Sequence, residues 1–389
     1  MSKLVFLDLS GNSFHGNIPK EIGNMTKLQQ LSLSDNNFFG EIPASILNLK
    51  ELKTLDLSYN SLSMEIPIDT GNLSNITTLD FSNNNLTSTI PSSIQKLIKL
   101  ETLYLQNNLL TGDIPSWLFD IKSLKYLFLG GNYLAWNNKA KVTPRCTLFV
   151  LSMRSCVLSG EIPDWISTQK TLGILDLSEN QLEGTFPLWL AEMNVNYIFL
   201  SGNNLKGFLP PYSIQQLSKF KSSFSISEQL LWRTAKLLNI SHNNLYGRVP
   251  ASLGDLENLE SLDLSYNNLS GSIPQSLAKL QQLTILDVSN NKLTGKIPIG
   301  SQMDTMNNPN FYANNSGLCG MQIRVPCLEY LSPTKPPKVE SKETWFSWEG
   351  VGIGYVVGFF VAVGNLYLIG YFVPTKPPNH RRQQRRQRI

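Results

Sequence analysis

An asparagine returns every 24 residues through the first part of the chain, each time closing the same apolar phrase. The phrases are LVFLDLSGN, LQQLSLSDN, LKTLDLSYN, ITTLDFSNN and LETLYLQNN, ending at Asn12, Asn36, Asn60, Asn84 and Asn108. The register continues at Asn132, at Cys156 in an asparagine's place, at Asn180 and, one residue short, at Asn203. After a longer gap it resumes at Asn243, Asn267 and Asn291, which makes twelve copies of LxxLxLxxNxLxGxIP. A unit of that length cannot bury its apolar face alone, so the copies must stack on one another into a solenoid.

Within LxLxx the apolar residues alternate with period two, the mark of a short strand with one buried face. Strands of successive copies are expected to stack in parallel, with leucines such as Leu55, Leu57 and Leu62 filling the interior. The ladder asparagine is expected to bridge backbone groups of adjacent turns, where the chain bends and loses its regular partners. The GxIP element recurs at Gly16–Pro19, Gly40–Pro43, Gly112–Pro115, Gly160–Pro163 and Gly271–Pro274. Its glycine permits a tight turn, and its proline keeps that segment out of a central sheet. One copy has Met64 where glycine is expected, and the copy at Tyr133–Pro144 lacks GxIP, so a local loop is expected there. After Asn291 the pattern is read as ending.

The unit resembles the plant-specific extracellular class of leucine-rich repeats, from Met1 to about Gly300. The fold class expected is an α/β leucine-rich-repeat solenoid with its parallel sheet on the concave face, followed by one C-terminal transmembrane helix. The expected organisation is repeats over 1–207 (about nine), an island-like insertion over 208–236, three repeats over 237–300 and a cysteine cap over 301–330. A juxtamembrane linker over 331–349, a membrane helix over 350–373 and a basic tail over 374–389 complete it.

Composition narrows the function. Charged residues are 16% of the chain, against about 25% in ordinary soluble domains. The tail after Pro374 holds six basic residues; of the 33 in the chain this leaves 27 against 29 acidic ones. A near-neutral body lacks the electrostatic footprint of nucleic-acid binding. Only three histidines and four cysteines are present, and no HRD, DFG, P-loop, HExxH, CxxC or GxSxG motif occurs. Neither an enzyme, nor a cofactor, nor a metal site is expected. The recurring pairs Asp8 with Ser10 and Asp56 with Ser58 fall at fixed points of LDLS, so they read as structural.

Val351 to Val373 is a run of 23 residues without a charge, long enough to span a bilayer. The arginine-rich tail is then cytoplasmic by the positive-inside rule, which places the repeats outside, at a plasma membrane. Gly350, Gly354, Gly358 and Ala362 form a stripe of small residues that would let a second membrane helix approach closely. Sequons stand at Asn24, Asn72, Asn75, Asn85, Asn239, Asn268 and Asn314, about as many as chance provides, and are candidate glycosylation sites if the chain is secreted. Met1 opens inside a repeat with no signal peptide, so an N-terminally incomplete chain is expected.

Taken together, the chain resembles a plant receptor-like protein without a kinase, similar to the tomato leaf-mould resistance and xylanase-recognition receptors. The phrase NSGLCG resembles the cysteine cap of that family, and Cys319 and Cys327, eight residues apart, are its candidate disulfide. Cys146 and Cys156 read as structural thiols, with a second disulfide as the alternative. The resemblance implies an extracellular peptide or protein ligand, in defence or development. It also implies an adaptor receptor kinase bound through the span and a co-receptor kinase on the C-terminal repeats. Alternatives are a secreted or wall-associated repeat inhibitor, a severed receptor kinase and a non-functional truncated receptor. The outward residue four places before the ladder position is aspartate in six copies, Asp8, Asp56, Asp80, Asp176, Asp263 and Asp287; in several copies of the middle it changes. Tyr104, Tyr126, Phe128, Arg154, Tyr197 and Phe199 are therefore the candidate ligand-binding residues, because exposed aromatics and arginine are the types enriched in binding hot spots.

Overall fold

The computed structural model describes residues 3–136, 142–210 and 234–327. The expected membrane span with its glycine stripe, residues 211–233 of the expected insertion 208–236, residues 137–141 of the expected loop, the last three residues of the cap, the linker and the tail lie outside the described residues. Among the described residues no helix is long and apolar enough to cross a membrane.

Twelve three-residue strands, from Phe6–Asp8 to Ile285–Asp287, stack in chain order into one parallel sheet. The register never slips: Leu31 lies opposite Leu55, Leu55 opposite Leu79, and Leu238 opposite Leu262. These central leucines, with the two that follow in each copy, form one continuous core; Leu55, Leu57 and Leu62 are fully buried.

Each ladder asparagine after the first ties its own turn to the preceding one. Asn84 donates from Nδ2 to Leu57 O at 3.0 Å, Phe81 O at 3.2 Å and Ser82 O at 3.1 Å, while its Oδ1 accepts from Leu62 N at 2.9 Å. A buried amide that uses donor and acceptor sides together meets the demand of backbone groups that no strand can reach.

Three features correct the sequence-based expectation. The α/β label overstates the helix: the outer side is built of single 3-10 turns such as Ala44–Asn48 and Gln275–Lys279, each begun by a proline. Leu188–Ala191 is the one α-helical turn among the described residues. The ten residues between that proline and the next strand, Ala44 to Lys53 in one copy, are too few to repay helix nucleation.

Second, further parallel sheets run along the opposite flank. One joins His15–Gly16, Asn37–Gly40, Ser61–Glu65 and Asn85–Thr87; another joins five strands from Lys206–Gly207 to Gly317–Cys319. The glycine of GxIP sits at their ends in the left-handed region, as Gly40 does at φ 79°. A Cβ there would lie 2.5 Å from Asn17 Oδ1, so glycine serves both the turn and the close approach. Met64 adopts φ 69° in the same place, a strained position for a residue with a side chain.

Third, the ladder does not end at Asn291. Asn315, 24 residues further on, accepts from Leu293 N at 2.9 Å and donates to Val288 O at 3.0 Å. The cap is thus a thirteenth turn without a strand in the twelve-stranded sheet. Leu318, Met303, Met306 and Tyr312 close the apolar end, and Tyr312 donates its buried hydroxyl to Met306 O at 3.1 Å. Cys319 and Cys327 are joined as a disulfide, with Cα atoms 5.0 Å apart.

Candidate ligand-binding face

The twelve-stranded sheet presents two outward rows, the first and third residue of every strand. The row of third residues opens with Asp8, Ser32, Asp56 and Asp80. Asp56 and Asp80 each accept from the N–H and hydroxyl of the serine two residues on, at 3.0 and 2.7 Å for Ser58 and 2.9 and 2.7 Å for Ser82. Burial pushes the Asp80 carboxyl above its usual range against the pull of Ser82, and neighbouring Asp56 adds to the rise.

At the next two strands the row changes. Tyr104 lies in register with Asp80, and Phe128 with Tyr104. The two rings pack with centroids 4.9 Å apart at 30°. Burial, then the charge of Asp80, raises the Tyr104 phenol. Ser152 and Asp176 follow, and only then Phe199. Three strand spacings, about 14 Å, therefore separate Phe128 from Phe199. The six candidates do not form one centre; Tyr104 and Phe128 meet, while Tyr197 and Phe199 stand apart from them.

The first row joins these groups. Tyr126, Val150, Ile174, Tyr197 and Leu237 lie in register on five consecutive strands. Tyr126 is 37% exposed and packs against Phe149 at 6.0 Å; Phe149 is 40% exposed. Val150, between Tyr126 and Ile174, is only 8% exposed. Weighing only aromatics at outward strand positions missed Phe149, which precedes the strand Val150–Ser152, and the aliphatic Ile174 and Leu237, which strand alternation puts in the same row. Arg154 is exposed just past the strand Val150–Ser152, and its backbone O accepts from Gly131 N at 2.7 Å. Chemically the face is an apolar stripe edged by carboxylates. Among the described residues no cluster of His, Cys, Asp and Glu could hold a metal.

Of the sequons, Asn24, Asn72, Asn85, Asn268 and Asn314 have exposed side chains. Asn314 Nδ2 is engaged with Asn290 Oδ1 at 2.7 Å, and Asn75 is held between Lys50 O and Lys99 Nζ. Asn239 stands on the sheet face in an aspartate's place, accepting from Ser241.

Residues 1–185 match the family model described as a leucine-rich repeat region, and residues 233–293 one described as leucine rich repeat. Receptor-like protein 46 of Arabidopsis thaliana is 51% identical over 69 residues, covering 16% of this chain and 8% of that protein. The plant peptide hormone receptor RGFR1, solved with RGF2, superposes with a TM-score of 0.66 and 30% identity, covering 82% of this chain and 52% of that one. PEPR1, solved with AtPEP1, gives 0.63 and 29%, covering 82% and 49%. The chain thus spans about half the length of these two solved receptors, and its match a much smaller share of Receptor-like protein 46. Both stretches of solenoid are leucine-rich repeats, and the chain is a leucine-rich-repeat protein similar to the plant receptor-like proteins.

Proposed function

We propose that this protein is a cell-surface receptor-like protein that binds an extracellular peptide or protein ligand on the sheet face and signals through partner kinases. The observation behind this reading is the apolar stripe where the aspartate row is interrupted. Large apolar side chains on an open sheet face mark a surface that something covers. Similarity to receptors solved with RGF2 and AtPEP1 supports a peptide as that cover. The reading places the repeats outside a plasma membrane, a span at 350–373 and a basic tail inside. The stripe Gly350, Gly354, Gly358 and Ala362 would pair with the span of an adaptor receptor kinase, and the C-terminal repeats would meet a co-receptor kinase. The glycans, if added, would sit at exposed sequons such as Asn85 and Asn268.

The test is the full chain behind a signal peptide in plant cells challenged with fractionated peptide extracts. A receptor-dependent response should appear, and Tyr126→Asp with Phe128→Ser should abolish it at unchanged surface level. An unaltered response in the double variant removes the stripe as the binding site.

A further inference from the structure

The aspartates beside the stripe hold more charge than their structural task needs. That task is to accept from the serine two residues on. Asn239 performs it without a charge, accepting from Ser241 N and Oγ at 3.1 and 2.8 Å, as Asp263 does from Ser265 at 3.0 and 2.7 Å. For that contact an amide oxygen suffices.

The charge is also unanswered. Asp56 and Asp80 lie in register on adjacent strands, directly before Tyr104. Among the described residues neither has an ion-pair partner. Lys125 and Lys236 are taken at 3.0 Å by Glu101 and Glu260. Arg154 follows the strand two beyond Tyr104, past Phe128. Two carboxylates on one side of an aromatic pair thus face outward without a cation, beside a π-face that attracts one.

We propose that the stripe takes an extended peptide of about seven residues, lying across the strands with a basic side chain over Asp56 and Asp80 and apolar side chains beyond it. The proposal rests on the reading of this face as a ligand surface and adds the chemistry of the ligand. From the strand of Asp80 to that of Phe199 there are five strand spacings, about 24 Å, which an extended chain covers in about seven residues. Along that path the peptide meets the Tyr104–Phe128 pair and then Tyr126, Val150, Ile174 and Tyr197. A lysine or arginine at the first end supplies the missing countercharge and stacks over Tyr104, while an acidic residue there is repelled. Charge placed this way sets register and excludes wrong partners more than it raises raw affinity.

The test uses the full chain in detergent micelles, panned with phage-displayed random heptapeptides against a Tyr126→Asp, Phe128→Ser control. Peptides enriched over the control should carry Lys or Arg at one end and apolar residues at alternate positions after it. A selected peptide, synthesised, should lose about 5- to 10-fold in affinity against Asp80→Asn and nothing against Asp287→Asn. Circular dichroism must match in all variants, as the Asn239 precedent predicts. Enrichment without a basic end, or binding indifferent to Asp80→Asn, overturns the charge assignment and leaves the ligand face standing. No enrichment over the control overturns both.

Discussion

Tyr104 and Phe128 sit on adjacent strands in register, their rings 4.9 Å apart, in positions where neighbouring turns hold the aspartates Asp56, Asp80 and Asp176. The strands pair in the same register at all of these positions, although an aromatic ring does not take the place of the carboxylate that accepts from Ser82 beside Asp80. Replacing Phe128 by Ser should cost the aromatic pair, about 0.5–1.5 kcal/mol, on top of the apolar area the half-buried ring removes from water. A Tyr104→Ala, Phe128→Ala double-mutant cycle followed by chemical denaturation should give a coupling of about 0.5–1.5 kcal/mol; zero coupling contradicts the packed pair.

Cys156 interrupts the ladder. Its Sγ donates to Leu129 O at 3.5 Å, matching one arm of an asparagine, but it has no counterpart of the Oδ1 through which Asn132 accepts from Leu110 N. Cys156→Asn should restore that acceptor for Leu134 N and stabilise the solenoid by about 1 kcal/mol, read as a higher melting temperature. A lower one would mean that the turn is shaped around the thiol.

Burial pushes the thiols of Cys146 and Cys156 up to about 11 each. Both are free in the structure and should resist iodoacetamide at pH 8 until the protein unfolds. In the unfolded chain these thiols lose protons from about pH 9, whereas the folded protein keeps them to about 11. Unfolded chains then bind fewer protons than folded ones, so stability is fully present below pH 9 and falls as pH rises through 11. A Cys146→Ala, Cys156→Ala variant should show a shallower alkaline loss.

Reducing the bond between Cys319 and Cys327 opens a loop of eight residues. Chain-entropy reasoning puts the loss at about 2–3 kcal/mol, confined to the cap. Dithiothreitol should therefore raise amide exchange around Leu318 and Tyr312 first while the sheet around Leu55 stays protected. Uniform loss of protection would refute a local role.

The ladder and the main sheet could be read from the chain because Leu and Asn recur at fixed spacing and each has one physical task. The flanking sheets could not. Many of their residues, as in Ser159–Gly160 or Lys206–Gly207, are small or polar and have too short an apolar pattern to betray pairing. Asn315 escaped for a different reason: its turn, FYANN, has lost the leucines that announce the others, and only its distance from Asn291 signals it. On the candidate face, single aromatic residues stood out, whereas Ile174 and Leu237 look like ordinary strand residues until adjacent strands align them with Tyr126.

The missing acceptor at Cys156 has a consequence for how the molecule yields. Contacts in such an array run only between neighbours, so the array is as cooperative as its poorest joint. The joint at Cys156 falls within the turn of Val150–Ser152, under the middle of the apolar stripe. Heating should open a seam there, dividing the array into two blocks that melt in separate steps. A ligand lying across the stripe would grip both blocks at once, and its binding would appear as the merging of two transitions into one.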